Sequence, residues 1–286
     1  MRSIRTMLRA VPWTSEAWVA YYEANARNLL RLPWECGAAL TADEKAVLAA
    51  SLQDFQLGES SDGRYLRQRA DVYARKAADP AYAEAIAWFI REEQRHSSTL
   101  ADFLRAAEIA LAEHTRLDAA FRWLRHRAGL EFFICVLLTA EMIGKIYYRA
   151  LLQTSSSPLL RGICTQLLRD EVRHLRFHRE RLALMRRRRP RWKLWLTSAV
   201  HRLFFKGTAL AVWLRHGGAF RAGGIGFLAY WRQCREEWQA HQRQSDPMSY
   251  DLDAAPSIIE PSRSARYACG LPMISNLGST DSRAKR

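Results

Sequence analysis

The order of hydrophobic and polar positions along the chain is typical of α-helices over roughly residues 42–187. Helix-forming residues dominate, the apolar residues stand in helical runs, and no stretch alternates as a half-buried strand does. Cap and turn signals divide this region into four main runs, so the sequence predicts four main helices. Helices that bury their apolar faces against one another form an all-α protein.

The first two helices are bounded by cap signals. Thr41-x-x-Glu44 is a capping-box pattern directly before an apolar run, and it predicts a first helix from about residue 42 towards residue 78. Asp79-Pro80 then supplies an N-cap and a proline at the first helical position, which opens the second helix.

The last two helices are bounded in the same way. The third is the apolar run 129–152, and Ser157-Pro158 opens the fourth. About twenty residues, 106–127, join the second helix to the third and contain a further short helical piece. A crossover of that length favours a bundle with one long connection over a series of simple hairpins.

Two copies of Glu-x-x-His lie within the predicted helices. Glu93 and His96 belong to the second helix, and Glu171 and His174 belong to the fourth. With 17 Glu and 8 His in 286 residues, chance predicts roughly half of one such pair. Residues three apart share a helix face, so each pair can direct a carboxylate and an imidazole at one metal ion.

One glutamate from each of the other two helices completes the candidate set. Glu59 and Glu141 are the long acids near the middle of the first and third predicted helices. The rival acids are shorter or nearer to a helix end: Glu44, Asp54, Asp62 and Glu131. At 1.5 Å per residue, Glu141 reaches the level of the ligand pair on the fourth helix. Glu59 misses the level of the second helix by about a turn, unless the first helix ends before Asp79.

These residues resemble the ligand set of the ferritin-like di-iron carboxylate proteins. The resemblance covers about residues 41–187, and the order and rough spacing of the ligands are similar to ribonucleotide reductase small subunits, rubrerythrins and bacterial aldehyde-deformylating oxygenases. It implies a ferritin-like four-helix bundle with N- and C-terminal helical extensions. It also implies two iron ions, with manganese possible at one site, held by six ligands: Glu59, Glu93, His96, Glu141, Glu171 and His174.

The same resemblance implies an activity and its partners. Its members bind and reduce dioxygen or peroxide, so it implies an oxidase or oxygenase that needs an external electron donor. A small apolar or aromatic molecule is the expected substrate. Two alternatives are an iron-binding protein without oxygenase activity and a di-iron hydroxylase of a tRNA base. The net charge of +15 argues against an iron-storage ferritin, and no C-x-x-C pair indicates a rubredoxin-type site.

Several neighbours of the candidate ligands are predicted to support them. Glu92 and Asp170 each precede a ligand glutamate, and the resemblance implies that such an acid hydrogen-bonds a ligand imidazole on the other helix. Two solvated surface acids are the alternative. His178 lies seven residues after Glu171 on the same face, where it is a further ligand, a proton shuttle or, as we favour, a packed histidine.

Other side chains near the ligands leave two interpretations open. The residues that suit a supporting shell, a substrate pocket or ordinary helix packing are Lys145, Tyr147 and Tyr148. Gly58, Gly63 and Gly144 flank the ligand positions, although glycine inside a helix costs about 1 kcal/mol against alanine. Close helix approach, which we favour, or space for a substrate explains them.

Charge adds a candidate surface. Arginine supplies most of the +15, and residues 186–193 form a dense basic cluster from Arg186 to Lys193. Such a cluster suits nucleic acid or an anionic membrane, and a solvated helix end is the alternative. The aromatic segment 192–216 is too interrupted by charge to span a membrane. It packs against the bundle or lies on a membrane surface.

The predicted organisation has four parts. These are an N-terminal docking segment (1–40), the di-metal bundle (41–190), a C-terminal helical extension (191–242) and a disordered tail (243–286). Five widely spaced cysteines without a C-x-x-C pair indicate free thiols in a reducing compartment. No secretory signal is predicted, so we expect a cytoplasmic protein. Peripheral attachment to the membrane surface is compatible with this location.

Overall fold

The structure, a computed structural model, describes residues 10–61, 63–113 and 129–251. Over these ranges the chain is α-helical, with two short 3-10 turns and one isolated β-bridge but no strand, so the all-α class is confirmed. The helices are α1 (Ser15–Arg27), α2 (Ala42–Glu59), α3 (Arg64–Ala77), α4 (Pro80–Ala106), α5 (Leu130–Thr154), α6 (Pro158–Arg186), α7 (Arg191–Ala222) and α8 (Phe227–Gln244).

The predicted helix starts are confirmed. At the start of α2 the Thr41 side chain accepts from the backbone N–H of Glu44, and the Glu44 side chain accepts in return from the N–H of Thr41. Asp79 caps α4, and Ser157 caps α6. Both are followed by proline at the first helical position, where its missing N–H costs nothing.

The prediction of one continuous first helix is wrong. The chain leaves the helix after Glu59 and begins α3 at Arg64, with Gly63 in the left-handed region at φ 64°. Glu59 is therefore the last residue of α2 rather than a mid-helix residue. The helix also ends before Asp79, as expected, since α3 stops at Ala77.

Gly63 is required by the break between α2 and α3. A Cβ atom built there would lie 2.5 Å from the Cγ2 atom of Ile90, in addition to the cost of a left-handed backbone. We therefore expect Gly63→Ala to lower the free energy of unfolding by about 2 to 4 kcal/mol. Gly58→Ala is the matched control, since a Cβ there meets nothing within 4 Å and alanine is the better helix former. Chemical denaturation that ranks the two variants alike would contradict this explanation.

Four helical segments surround the centre of the molecule. The broken pair α2 and α3 packs on α4, α4 packs on α6, and α5 packs on α6. The helix α1 lies against α4 and donates a hydrogen bond of 3.1 Å from Trp18 Nε1 to Glu180 Oε2 of α6. Buried side chains of all these helices join one hydrophobic cluster, which also includes Phe205 of α7 and Trp238 of α8.

The C-terminal extension packs on the other side of the bundle. The helix α7 contacts α2 and α5, and α8 contacts α5 and α6. Two buried histidines of α7 fix the contact: His201 lies 3.1 Å from Thr139 Oγ1 of α5, and His216 lies 3.0 Å from Ser51 Oγ of α2. One face of the segment 192–216 therefore packs against the bundle.

Two of the predicted segments lie largely outside the described residues. The short helical piece in the 106–127 connection falls largely on residues 114–128, outside the described residues. Of the tail predicted to be disordered, residues 243–251 are ordered, and the hydroxyl of the buried Tyr250 donates to the Gln244 carbonyl at 2.8 Å. Residues 252–286 also lie outside the described part. No helix of the described ranges is long and apolar enough to cross a bilayer.

Candidate metal centre

The two Glu-x-x-His pairs meet between α4 and α6. One potential ligand atom from each of Glu93, His96, Glu171 and His174 can be chosen so that the four atoms all lie within 4.8 Å of one another. The two histidines and Glu171 are buried, and the Glu93 side chain is 16% exposed. The geometry brings together two carboxylates and two imidazoles, a donor set that suits a transition-metal ion.

Two acids hold the histidines by crossed hydrogen bonds. His96 Nε2 of α4 lies 2.9 Å from Asp170 Oδ2 of α6, and His174 Nε2 of α6 lies 2.9 Å from Glu92 Oε2 of α4. These are the hydrogen bonds expected for Glu92 and Asp170. Both acids are buried, so the alternative interpretation as solvated surface acids is wrong. With Nε2–H donating to an acid, each imidazole keeps its Nδ1 lone pair for another partner.

The Nδ1 atoms face the carboxylates of the cluster. His174 Nδ1 lies 3.1 Å from Glu93 Oε1 and 3.8 Å from Glu171 Oε2. His96 Nδ1 lies 3.6 Å from Glu93 Oε1 and 4.0 Å from Glu171 Oε1. A metal ion at the centre would be within reach of both imidazoles and both glutamates.

Buried atoms without hydrogen-bond partners gather at this centre. They include both carboxylate oxygens of Glu141, one oxygen each of Glu93 and Glu171, and Nδ1 of His96 and His174. A buried polar atom left unpaired costs about 1 to 3 kcal/mol, so such a set calls for a ligand. A cation among the ligand atoms of Glu93, His96, Glu171 and His174 would offset this cost there, and the residues present therefore fit a metal centre.

Glu59 and Glu141 lie near this group and interact electrostatically with Glu93. The Tyr148 hydroxyl of α5 donates to Glu59 Oε1 at 2.5 Å, and His178 Nε2 lies 3.4 Å from Glu141 Oε1. Both glutamates border the same cavity as Glu93 and Glu171. The structure therefore brings all six candidates to one region, four of them in the compact group, while ligation by the six stays a prediction.

The pKa values of the buried glutamates reflect their burial and their charged neighbours. Burial raises the pKa of Glu141 to about 8. Burial, together with the charge of Glu93, raises the pKa of Glu59 to about 7. Glu93 differs, since its contact with His174 outweighs burial and lowers its pKa to about 2. A metal ion that binds here must displace protons from the neutral carboxyl groups.

The remaining candidates around the ligands divide into two groups. Tyr148 and His178 touch candidate ligands, and burial lowers the pKa of His178 to about 3, so its imidazole is neutral. Lys145 instead pairs with Glu237 of α8 at 2.6 Å, and the Tyr147 ring stacks on Phe55 at 3.6 Å between centroids. Lys145 and Tyr147 therefore contribute packing and ion pairing.

Three residues at the site were not predicted. The Asn25 amide of α1 donates to both Glu92 Oε1 and Asp170 Oδ1, at 2.5 and 2.8 Å. Arg95 Nη2 lies 2.9 Å from the same two acids, at Glu92 Oε1 and Asp170 Oδ2. Gln166 Nε2 donates to Asp170 as well. The sequence could have indicated Arg95, which lies three residues after Glu92 and so shares its helix face. It gives no such signal for Asn25, which is 67 residues away from Glu92.

A cavity of about 160 Å³ opens directly beside the carboxylates. Its walls are mainly apolar, with Phe89 and Ile90 of α4, Phe133 and Ile143 of α5 and Val212 of α7 among them. The polar residues in its lining, apart from the four glutamates, are Asp54, Ser61, Thr208 and His216. The candidate centre therefore faces a space that is closed on one side by the C-terminal extension.

The glycines near the site serve two purposes. Gly63 allows the close contact with Ile90, as expected from packing. A Cβ at Gly58 would meet nothing within 4 Å, and one at Gly144 would meet only Tyr148, at 3.7 Å. Both of these glycines line the cavity, so here space, and not close helix approach, is the better explanation.

No family model matches this chain, and no curated protein or solved structure matches it either. The helical fold and the buried cluster of glutamate and histidine are compatible with a ferritin-like bundle.

Proposed function

We propose that this protein is a ferritin-like di-iron oxidoreductase that activates dioxygen or peroxide and oxidises a small apolar or aromatic substrate. The observation that carries the proposal is the convergence of four glutamates and two histidine Nδ1 atoms beside an apolar cavity. The crossed hydrogen bonds of Glu92 and Asp170 support it, since ligand histidines commonly donate their second N–H to a carboxylate.

The side chains divide the work between holding metal and positioning ligands. Two iron ions, when bound, would supply the electrons that dioxygen needs, and manganese at one site would serve similarly. Glu93, His96, Glu171 and His174 would hold them, with Glu59 and Glu141 completing the set. Glu92 and Asp170 fix the tautomer of both imidazoles, so that Nδ1 points inward. Arg95 offsets the charge of these two acids, and the Asn25 amide donates a hydrogen bond to each of them.

The cavity sets the size and polarity of the substrate. An apolar cavity of about 150 Å³ holds a benzene molecule, so the 160 Å³ here fits a group of roughly one aromatic ring. Its mainly apolar walls would limit the water beside the carboxylates, which favours chemistry on a substrate over side reactions with solvent. Thr208 and His216 would face a polar substituent on the ring.

Metal loading and oxygen reactivity test the proposal directly. Protein reconstituted with ferrous iron under anaerobic conditions should hold about two irons per chain. Mixing with dioxygen in a stopped-flow spectrometer should then produce an absorbance change that metal-free protein lacks. Zinc alone or no metal after reconstitution would refute the metal centre. Many irons per chain would favour storage, and two irons inert to dioxygen and peroxide would leave a metal-binding protein without this activity.

Filling the cavity should separate substrate binding from metal binding. In Gly144→Leu the new side chain enters the cavity, because little lies near the added Cβ. We expect iron content to be retained, while thermal stabilisation by a one-ring probe such as toluene is lost. Gly218→Leu on the exposed part of α7 is the control, with nothing within 4 Å of its Cβ. Toluene binding that survives Gly144→Leu unchanged would place the substrate elsewhere.

A further inference from the structure

The outward face of α7 carries an apolar stripe. Its large exposed residues are Trp192, Trp195, Leu196, Val200, Leu203, Leu210 and Leu214. Trp195, Leu203 and Leu214 are 72%, 74% and 77% exposed. At 3.6 residues per turn these positions fall within roughly 140° of the helix circumference and extend over roughly 33 Å. Soluble proteins rarely leave so long an apolar surface in contact with water.

The opposite face of the same helix is buried in the protein. His201, Phe205, Thr208, Val212 and His216 point towards the bundle and are at most 8% exposed. The helix is therefore held lengthwise against the domain, and the stripe faces away from it. The segment 191–200 contains no buried residue, so the end of α7 that carries both tryptophans has the least contact with the bundle.

Positive charge borders the stripe. Arg191, Lys193 and Arg202 are exposed and lie at its edges on the helix surface, and the exposed Lys206 lies within it between Leu203 and Leu210. The 32 residues of α7 include no aspartate or glutamate. The basic cluster predicted at 186–193 is smaller than its sequence suggests, since Arg186 and Arg189 pair with Glu131. Its remaining exposed members, Arg187 and Arg188 among them, precede the stripe.

We propose that this stripe docks on an anionic membrane surface, with α7 parallel to the plane of the lipids. An amphipathic helix binds in this way when its apolar face enters the acyl boundary and its basic residues meet anionic headgroups. Tryptophan, which stands twice at one end of the stripe, favours this interface.

The charges argue against other occupants of the stripe. A second copy of this chain, with a net charge of +15, would bring one set of basic edges against another. A nucleic acid would need positive charge along the centre of its track, where this surface has leucine and valine. Anionic lipid satisfies both the apolar centre and the basic edges.

Vesicle flotation of the full chain tests the docking surface. We expect the protein to float with vesicles of phosphatidylcholine and phosphatidylglycerol, to bind pure phosphatidylcholine far more weakly, and to dissociate as salt is raised. Leu203→Glu should weaken binding roughly tenfold to a hundredfold, since it removes a leucine from the lipid contact. Val72→Glu, at another exposed apolar position on α3, is the matched control and should bind normally.

Neutralising two basic residues of α7 tests the contribution of charge to vesicle binding separately. The double variant Arg202→Gln with Lys206→Gln should bind roughly thirtyfold more weakly, from about 1 kcal/mol for each lost charge. Arg75→Gln with Lys76→Gln removes the same charge from exposed positions on α3 and should have little effect. All variants alter exposed side chains, so unchanged melting temperatures and iron contents are expected.

Several results would overturn the proposal. These are failure to float with anionic vesicles, equal binding to neutral vesicles, and the same loss in the α3 controls as in the α7 variants. A dimer in sedimentation velocity that Leu203→Glu dissociates, with vesicle binding intact, would assign the stripe to a second copy. Tight salt-sensitive binding of an oligonucleotide, lost in the Arg202 and Lys206 variant without vesicle binding, would assign it to nucleic acid.

Discussion

Replacing Glu141 by alanine is expected to remove at least one of the two iron ions that we propose for each chain. Both carboxylate oxygens of Glu141 are buried and without hydrogen-bond partners, and a cation at the proposed centre would supply the missing partner. Loss of this carboxylate deprives the centre of an anionic ligand that water cannot replace at equal affinity. Elemental analysis after anaerobic reconstitution should show the reduced iron stoichiometry.

The stability of the metal-free protein should move in the opposite direction. Burial raises the pKa of Glu141 to about 8, which shows that the carboxylate is held at a cost. Removing an uncompensated buried acid relieves that cost, so metal-free Glu141→Ala should unfold at the same denaturant concentration as wild type or at a higher one. A lower midpoint, with iron binding retained, would show that Glu141 has a structural role instead.

Glu131→Ala is the control on the same helix. Glu131 Oε1 accepts a hydrogen bond of 2.9 Å from Arg186 Nε, and Arg189 pairs with the same carboxylate. Its loss leaves the buried Arg186 uncompensated and should lower stability by up to about 3 kcal/mol. The iron content of Glu131→Ala should nevertheless stay at the wild-type value. Equal iron loss in the two variants would contradict the choice of Glu141 as the ligand on α5.

Asp170→Asn is expected to weaken iron binding roughly tenfold to a hundredfold, the usual penalty for losing the partner of a ligand histidine. Asp170 accepts from His96, Arg95, Asn25 and Gln166. Despite burial, the hydrogen bond with His96 lowers its pKa, so the group is an anion. The asparagine side chain has the same shape, but its NH₂ group faces one of these donors and cannot accept from it. The orientation of His96 is therefore no longer fixed.

Metal titrations distinguish this role from simple packing. The weaker affinity should be accompanied by slower reaction of the ferrous protein with dioxygen and by a melting temperature that changes mainly in the metal-loaded form. Arg173→Gln is the control, since its guanidinium lies over the Tyr21 ring at 5.4 Å rather than on the ligand side of α6. An Asp170→Asn protein with wild-type iron affinity would refute the positioning role.

The helix starts and the ligand face were predictable because they depend on local chemistry. Capping at Thr41, Asp79 and Ser157 uses side chains within three residues of the N–H groups they bind. The spacing of Glu-x-x-His places both side chains on one face of any helix. Crossed bonding by Glu92 and Asp170 came from the family resemblance, and the structure has the same arrangement.

The break between α2 and α3 and the role of Asn25 depend on the tertiary structure. Residues 42–78 were predicted as one helix although Ser60-Ser61-Asp62-Gly63 is a cluster of turn-forming residues. The position of Ile90, on another helix, shows why glycine is needed there. Asn25 is one polar residue in an aromatic helix, and it becomes informative only when α1 docks beside the two acids. The cavity likewise requires α7, and the sequence did not decide whether α7 packs against the bundle.

The crossed bonds of Glu92 and Asp170 tie α4 and α6 together at two points. A rotation or a one-residue slide of either helix would break both bonds at once, and the Asn25 amide, which touches both acids, would be lost with them. The orientations of both histidines therefore depend on the same relative position of the two helices. Because these bonds are formed without metal, the imidazoles are held with Nδ1 inward before an ion binds. We accordingly expect α4 and α6 to keep their relative position when iron is added, so that amide exchange in the two helices changes little at their contact.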